Sequence, residues 1–307
     1  MKAACVSSGQ EGANEMINGN ERPLVTSVCY VRLSVTELHA SARFMSDVFG
    51  LQRVAEQDGE IAFRSDDRYR TVSLASNSSD DASIGIEVWD DEALDIIGRR
   101  LGDLGFVVKN ADPDECRRRY VHSALLAEDA SKNRIDLVVR PSRSGKRYFP
   151  TRDAGIVQFH SVGLRTTHHV RDLAFWKAVG AEVSDWVGDI AYLRTDGKHH
   201  RIALFPSKRN GLLYSAFEVE ALDQIMQNSY FMQESQIKIV QGPGRQAASR
   251  QIFLHVEGPD GVIFSYVTGM VEYGDRPRLA RQFPLAATSL CDWGSESKDV
   301  PELRAPL

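Results

Sequence analysis

The 307-residue sequence is poor in cysteine: Cys5, Cys29, Cys116 and Cys291 stand far apart and no pair has CxxC spacing. That excludes a zinc ribbon, an iron–sulfur site and a disulfide framework, and it points to a reducing compartment. No apolar run approaches the roughly 18 residues of a membrane span, and Met1–Gly19 has no apolar leader segment. Excess positive charge is also missing: 37 Lys and Arg stand against 42 Asp and Glu, a net charge of −5. Nucleic-acid binding needs a basic face to meet phosphate, so this balance argues against it. The expectation is a soluble, cytoplasmic protein that engages neither membrane nor nucleic acid.

What the chain does have is a globular composition, 42% apolar and 26% charged, and enough length for two domains that bury a core without staples. A long-period repeat then becomes readable. Gly59-Glu-Ile-Ala-Phe-Arg-Ser-Asp before Arg70-Thr-Val-Ser-Leu matches Gly188-Asp-Ile-Ala-Tyr-Leu-Arg-Thr-Asp before His200-Arg-Ile-Ala-Leu at an offset of 130. Close to the same offset, Tyr30-Val-Arg-Leu aligns with His160-Ser-Val-Gly-Leu, Phe49-Gly50-Leu51 with Val179-Gly180-Ala181, Ile86-Glu-Val with Phe217-Glu-Val, and Asp136 with Ser265.

The reading is two homologous modules, 24–140 and 156–270, after a disordered tail (1–22) and before a C-terminal tail (271–307). Each module opens on an alternating strand and a helical stretch closed by glycine, then three strands rich in Ile, Val, Phe and Tyr, with an inserted second helix. Asp260-Gly261 between Ile252–Val256 and Val262–Val267 is a two-residue hairpin signal. Pro141–Ala154 reads as the linker. The fold class is α+β, two tandem βαβββ modules, each a cupped mixed sheet.

Alternation puts His160 on a face with Val162 and Leu164, and His200 on a face with Ile202 and Leu204. Two imidazoles from two strands of one module can converge on a divalent metal. Either histidine taken alone reads more readily as a satisfied, partly buried side chain. Module one carries Tyr30 and Arg70 at the aligned positions, so the fold does not demand histidine there.

Paired βαβββ modules with His160 opening the second, and the run Gly197-Lys-His-His-Arg-Ile-Ala-Leu204, resemble the vicinal oxygen chelate superfamily. Its nearest branch is the two-module type I extradiol ring-cleavage dioxygenases of the dihydroxybiphenyl and catechol 2,3-dioxygenase kind. The resemblance implies a homo-oligomeric, aromatic-compound-degrading oxidoreductase whose C-terminal module alone holds metal, usually Fe(II) and sometimes Mn(II). It makes His160 and His200 ligands. The family's third ligand, a glutamate, is Ser265 here, and the conserved tyrosine ten residues earlier is His255. A loop histidine of the family aligns with Gln246. Another acid/base histidine has no counterpart: His168-His169 reads as a solvated helix start, and alternation turns His199 away from His200.

Three readings follow. His255 replaces the carboxylate in a three-histidine site; or the metal sits on two histidines with His255, and Gln246 beside it, as catalytic groups; or the site is degenerate, holds no metal and only binds a small molecule. If the pocket is catalytic, vicinal oxygens of a catecholic substrate chelate the metal, and the alternative is an isomerase or hydrolase of the same fold. Arg245 and Arg250 are candidates for closing over an anionic substrate, and Trp186 for lining an aromatic pocket.

Overall fold

The computed structural model describes residues 22–57, 59–76, 82–273 and 278–305. The disordered tail expected over 1–22 therefore lies outside the described residues except for Arg22, which pairs with Asp90. The first unit of the chain is β1 (Val25–Val35), α1 (Leu38–Arg43) running into a π-helical turn over Phe44–Phe49, β2 (Gln52–Gln57), β3 (Glu60–Arg64) and β4 (Val72–Ser76). The second is β5 (Ser83–Val88), α2 (Asp91–Asp103), β6 (Val108–Asn110), α3 (Pro113–Arg119), β7 (Ser123–Glu128) and β8 (Arg134–Val139). The third is β9 (Ile156–Thr166), α4 (His169–Val179), β10 (Glu182–Val187), β11 (Ile190–Arg194) and β12 (Ile202–Pro206). The fourth is β13 (Gly211–Val219), α5 (Leu222–Glu234), β14 (Ile239–Arg245), β15 (Ile252–Glu257) and β16 (Ile263–Thr268). The C-terminal tail adds β17 (Arg281–Phe283) and α6 (Ala287–Leu290).

Each module is thus a pair of βαβββ units. In the first sheet the order is β2-β3-β4-β1-β5-β8-β7-β6, and in the second β14-β15-β16-β13-β9-β12-β11-β10, with β17 added parallel to β10 at the edge. Within each unit the first strand lies parallel to the last, and the two first strands run antiparallel at the centre. The signals that build these elements are local. Gly50 (φ 93°) and Gly180 (φ 108°) end the first helices in the left-handed region that glycine enters without steric cost. Asp90 caps α2 by accepting from the Ala93 amide. Asp260 and Gly261 both take positive φ in the tight turn between β15 and β16.

The two modules share one apolar core on the faces that carry α1, α2, α4 and α5. Phe49 of the first module stacks on Tyr266 of the second (4.4 Å between centroids) and meets Phe217 edge-on, and the Tyr266 hydroxyl donates to the Phe49 carbonyl at 2.8 Å. The linker is pinned: Tyr148 donates to the Gly50 carbonyl, and Arg152 to the Val48 carbonyl and Tyr266 Oη. The opposite, inner face of the second sheet carries a separate apolar cluster containing Tyr192, Phe205, Tyr214 and Phe253. Tail residues Leu290, Cys291 and Leu303 belong to that cluster, so the tail packs onto the inner face of module two.

Candidate functional site

His160 sits where the β9–β13 pairing shifts register, between Phe159↔Phe217 and Ser161↔Ala216. The alternation expected from sequence does not run through such a bulge, so His160 is not on the Val162 and Leu164 face that it was read to share. The register also corrects the alignment of the modules. In β1 the same shift falls between Val28↔Ile86 and Tyr30↔Gly85, which makes Cys29 the counterpart of His160 and Tyr30 that of Ser161. His200 precedes β12, whose first residue is Ile202, and its ring lies 4.8 Å from that of Tyr192 in the inner cluster. Parallel pairing of Val162 with Ile202 brings the two segments side by side. Arg201 clamps them by donating from Nη1 to the His160 carbonyl at 3.0 Å.

Sequence reasoning discounted His199, and here the structure differs most. Because residues 199 and 200 lie outside the strand, both rings turn inward, and their Nδ1 atoms are 3.0 Å apart. His199 Nε2 lies 2.8 Å from Asp185 Oδ2, and both side chains are fully buried. Asp185 also accepts from the Arg281 amide (2.7 Å) and from Arg281 Nη2 (2.6 Å). Burial would raise its carboxyl, but the hydrogen bonds from His199 and Arg281 outweigh that and hold it at about 2.

An ionised carboxylate can only accept, so His199 Nε2 carries the proton and His199 Nδ1 is a lone pair. His200 Nδ1–H must then be the donor to it. That leaves His200 Nε2 as a bare lone pair, buried and without a hydrogen-bond partner among the described residues. Burial first, then the His199 and His160 rings, holds the His200 pKa well below its usual range, so it stays neutral. A buried imidazole whose far nitrogen is oriented by an outer hydrogen-bond chain, and whose near nitrogen meets nothing, has the electronic form of a metal ligand. His160 is neutral as well, mainly through burial and then through Arg201 and Lys198, and its Nδ1 lies 3.0 Å from Ser161 Oγ.

With this geometry the chain can be placed among known proteins. Residues 158–266 match the model of the Glyoxalase/Bleomycin resistance protein/Dioxygenase superfamily. That matched stretch lies within the second module. Over 303 residues the chain is 23% identical to biphenyl-2,3-diol 1,2-dioxygenase of Metapseudomonas furukawaii, covering 92% of this chain and 97% of that protein. Its fold is that of BphC, a halotolerant catechol dioxygenase (TM-score 0.82, 18% identity, 91% and 97% coverage). It is likewise that of the Mn(II)-bound glyoxalase from Novosphingobium aromaticivorans (TM-score 0.79, 22% identity, 93% and 96% coverage). The expected superfamily and fold class are therefore borne out.

Within this glyoxalase-type module the remaining candidates fall in different places. His255 Nδ1 is 2.6 Å from Ser265 Oγ across the β15–β16 ladder, and its ring stacks between Phe253 and Tyr214. Among the described residues no three His, Cys, Asp or Glu side chains gather into a metal-binding group. Of the candidate ligands, His160 and His200 are therefore the pair left to hold a divalent ion, with no third His, Cys, Asp or Glu joining them in such a group among the described residues. Burial alone pushes His255 down to about 3, far from the neutral range that suits a general acid or base.

A stability signature follows from that shift. Below the unfolded value of 6.5 the unfolded chain binds a proton that the folded His255 refuses until about pH 3. Stability is therefore complete above pH 6.5 and is lost as the pH falls. Between pH 7 and 5 this histidine should cost the fold about 2 kcal/mol. Urea midpoints should show that loss, and His255→Leu should reduce it by the same amount. Equal losses in both proteins would contradict the assignment.

Gln246 is tied into its own loop, its Oε1 accepting from Ser249 at 2.6 Å. Arg245 and Arg250 both reach Asp292 of the tail (3.6 and 2.8 Å), so this carboxylate occupies the guanidinium groups proposed for a substrate. Trp186 packs against the shared core on the other side of the sheet, edge-on to His169, and does not line the inner face. In its place stand two tyrosines not anticipated from sequence: Tyr192 beside His200, and Tyr214, whose buried hydroxyl has no partner among the described residues. The signal that could have found the relay was the adjacent His199-His200 pair; Asp185, in the half-polar strand Glu182–Val187, does not stand out in the sequence.

Proposed function

We propose that the inner face of the second module holds a divalent cation on His160 and His200 and acts, as an extradiol-dioxygenase-like enzyme, on a catecholic or related molecule with two neighbouring oxygens. The observation that carries this reading is the unpartnered, deprotonated Nε2 of His200 at the end of a buried Asp185–His199 chain. A bound ion, Fe(II) for oxygen chemistry or Mn(II), would supply Lewis acidity to both substrate oxygens. Two neutral imidazoles leave the ion's charge uncompensated, which favours an anionic, bidentate substrate. Tyr214 keeps its proton because burial raises its pKa, so its hydroxyl can donate to a substrate oxygen. Tyr192 packs its ring 4.8 Å from that of His200.

One observation favours a second reading, a metal-poor binder: Ser265 stands in place of a carboxylate and is closed off by its hydrogen bond to His255. The two readings separate in one experiment. Protein loaded anaerobically with Fe(II) is mixed with catechol, 3-methylcatechol or biphenyl-2,3-diol while dissolved oxygen is recorded. The enzyme reading expects one O₂ consumed per diol and a yellow ring-opened product with at least one of the three. Diol binding without oxygen uptake would favour the binder, and absence of both would overturn the proposal.

A further inference from the structure

The inner face of the first module contains a cavity of about 840 Å³, within the range of small-molecule sites. Its floor is built by β1, β5 and β8, and α3 forms a wall. There Asp136 Oδ2 accepts from Tyr30 Oη (2.9 Å), Ser83 Oγ (2.7 Å) and Arg119 Nε (2.9 Å), all buried. The corresponding position of module two is Ser265, so the two inner faces have diverged in opposite directions. One keeps an acid with a permanent cation against it, and the other keeps imidazoles.

The acids around this cavity are compensated. Asp136 pairs with Arg119, Glu115 with Lys109 at 2.9 Å, and Glu128 with Lys132 at 3.4 Å. Asp129, lifted to about 7 by burial and then by Asp172, carries only part of a negative charge at neutral pH. Two further lining cations, Arg118 of α3 and Arg171 reaching in from α4 of the second module, pair with no acid among the described residues, Arg171 donating to the Leu104 carbonyl and lying over the Phe106 ring. Phe106, Val107 and Leu126 supply apolar wall beside them. A concave space with uncompensated guanidinium groups and an apolar side is complementary to a negative charge carried on an apolar body.

We infer that this cavity is a second ligand site, specific for a small organic carboxylate with an aromatic or similarly apolar body. It is independent of any metal in module two. The site recognises the carboxylate through Arg118 and Arg171 and the body through Leu126 and Phe106.

The test uses 4-fluorobenzoate followed by ¹⁹F NMR, with 4-fluorobenzamide as the neutral probe of the same shape. The full chain should bind the carboxylate saturably at one per chain, and the amide at least tenfold more weakly. Arg118→Glu and the cavity-filling Leu126→Trp should each weaken carboxylate binding at least tenfold, with circular dichroism unchanged. His200→Ala, which alters only the other module, should leave it intact. No saturable binding, equal affinity for both probes, or binding untouched by Arg118→Glu and Leu126→Trp would overturn the assignment. Loss in His200→Ala alone would move the ligand to module two and overturn it equally.

Discussion

Replacing His200 by alanine is expected to strip the protein of its divalent ion, lowering Mn(II) affinity by at least about 100-fold. The variant removes the lone pair at the end of the relay and leaves His160 as the only imidazole of the pair. The fold should survive. What is lost is a buried ring beside Tyr192 whose Nε2 makes no compensating hydrogen bond, so part of the cavity cost is offset by removing an unsatisfied polar atom. His200→Leu keeps more of the volume and should match the wild type more closely in urea while binding metal no better than His200→Ala. Metal retained at wild-type stoichiometry in both variants would contradict a role for His200 as ligand.

Changing Asp185 to asparagine should be the next largest effect, although the side chain touches neither His200 nor any substrate. The introduced amide can turn its N–H₂ toward His199 Nε2. The imidazole then carries its proton on Nδ1 and donates to His200 Nδ1, and the proton of His200 moves to Nε2. The ligand atom becomes a donor and cannot bind a cation. Outer-chain substitutions of this kind cost metal affinity about 10- to 100-fold. The variant also weakens the hold on Arg281, so its stability has to be followed in parallel. Mn(II) titration of Asp185→Asn beside His199→Phe separates the causes: the relay expects both to weaken binding while His160 and His200 remain. Unchanged affinity in Asp185→Asn with an intact fold would rule the relay out.

The duplicated architecture was legible because it is written in local signals: turn glycines at Gly50 and Gly180, the Asp260-Gly261 turn, and matched apolar strands at an offset near 130. The finer duplication, two βαβββ units inside each module, was not, because α3 and unequal strand lengths interrupt its period. Alternation failed at the residues that matter. His160 lies at a register shift and the His199-His200 pair outside a strand, and in neither place does a period of two determine direction. Arg245 and Arg250 were read as candidates from their place in the loop, and Gln246 from the family resemblance. Their partners, Ser249 and the tail residue Asp292, are set by how the loop folds and by a tail that returns about 40 residues later. The buried Asp185 owes its ionisation partly to Arg281 of that same tail, a long-range contact that no local pattern announces.

Loading the protein with Mn(II) and recording electron spin-echo envelope modulation, with and without ¹⁵N-histidine labelling, tests the metal assignment most directly. Two directly bound imidazole nitrogens, one of which disappears in His200→Ala, are the expected result. A spectrum without histidine nitrogen coupling, or a third coupling lost in His255→Leu, would contradict a site held by His160 and His200 alone.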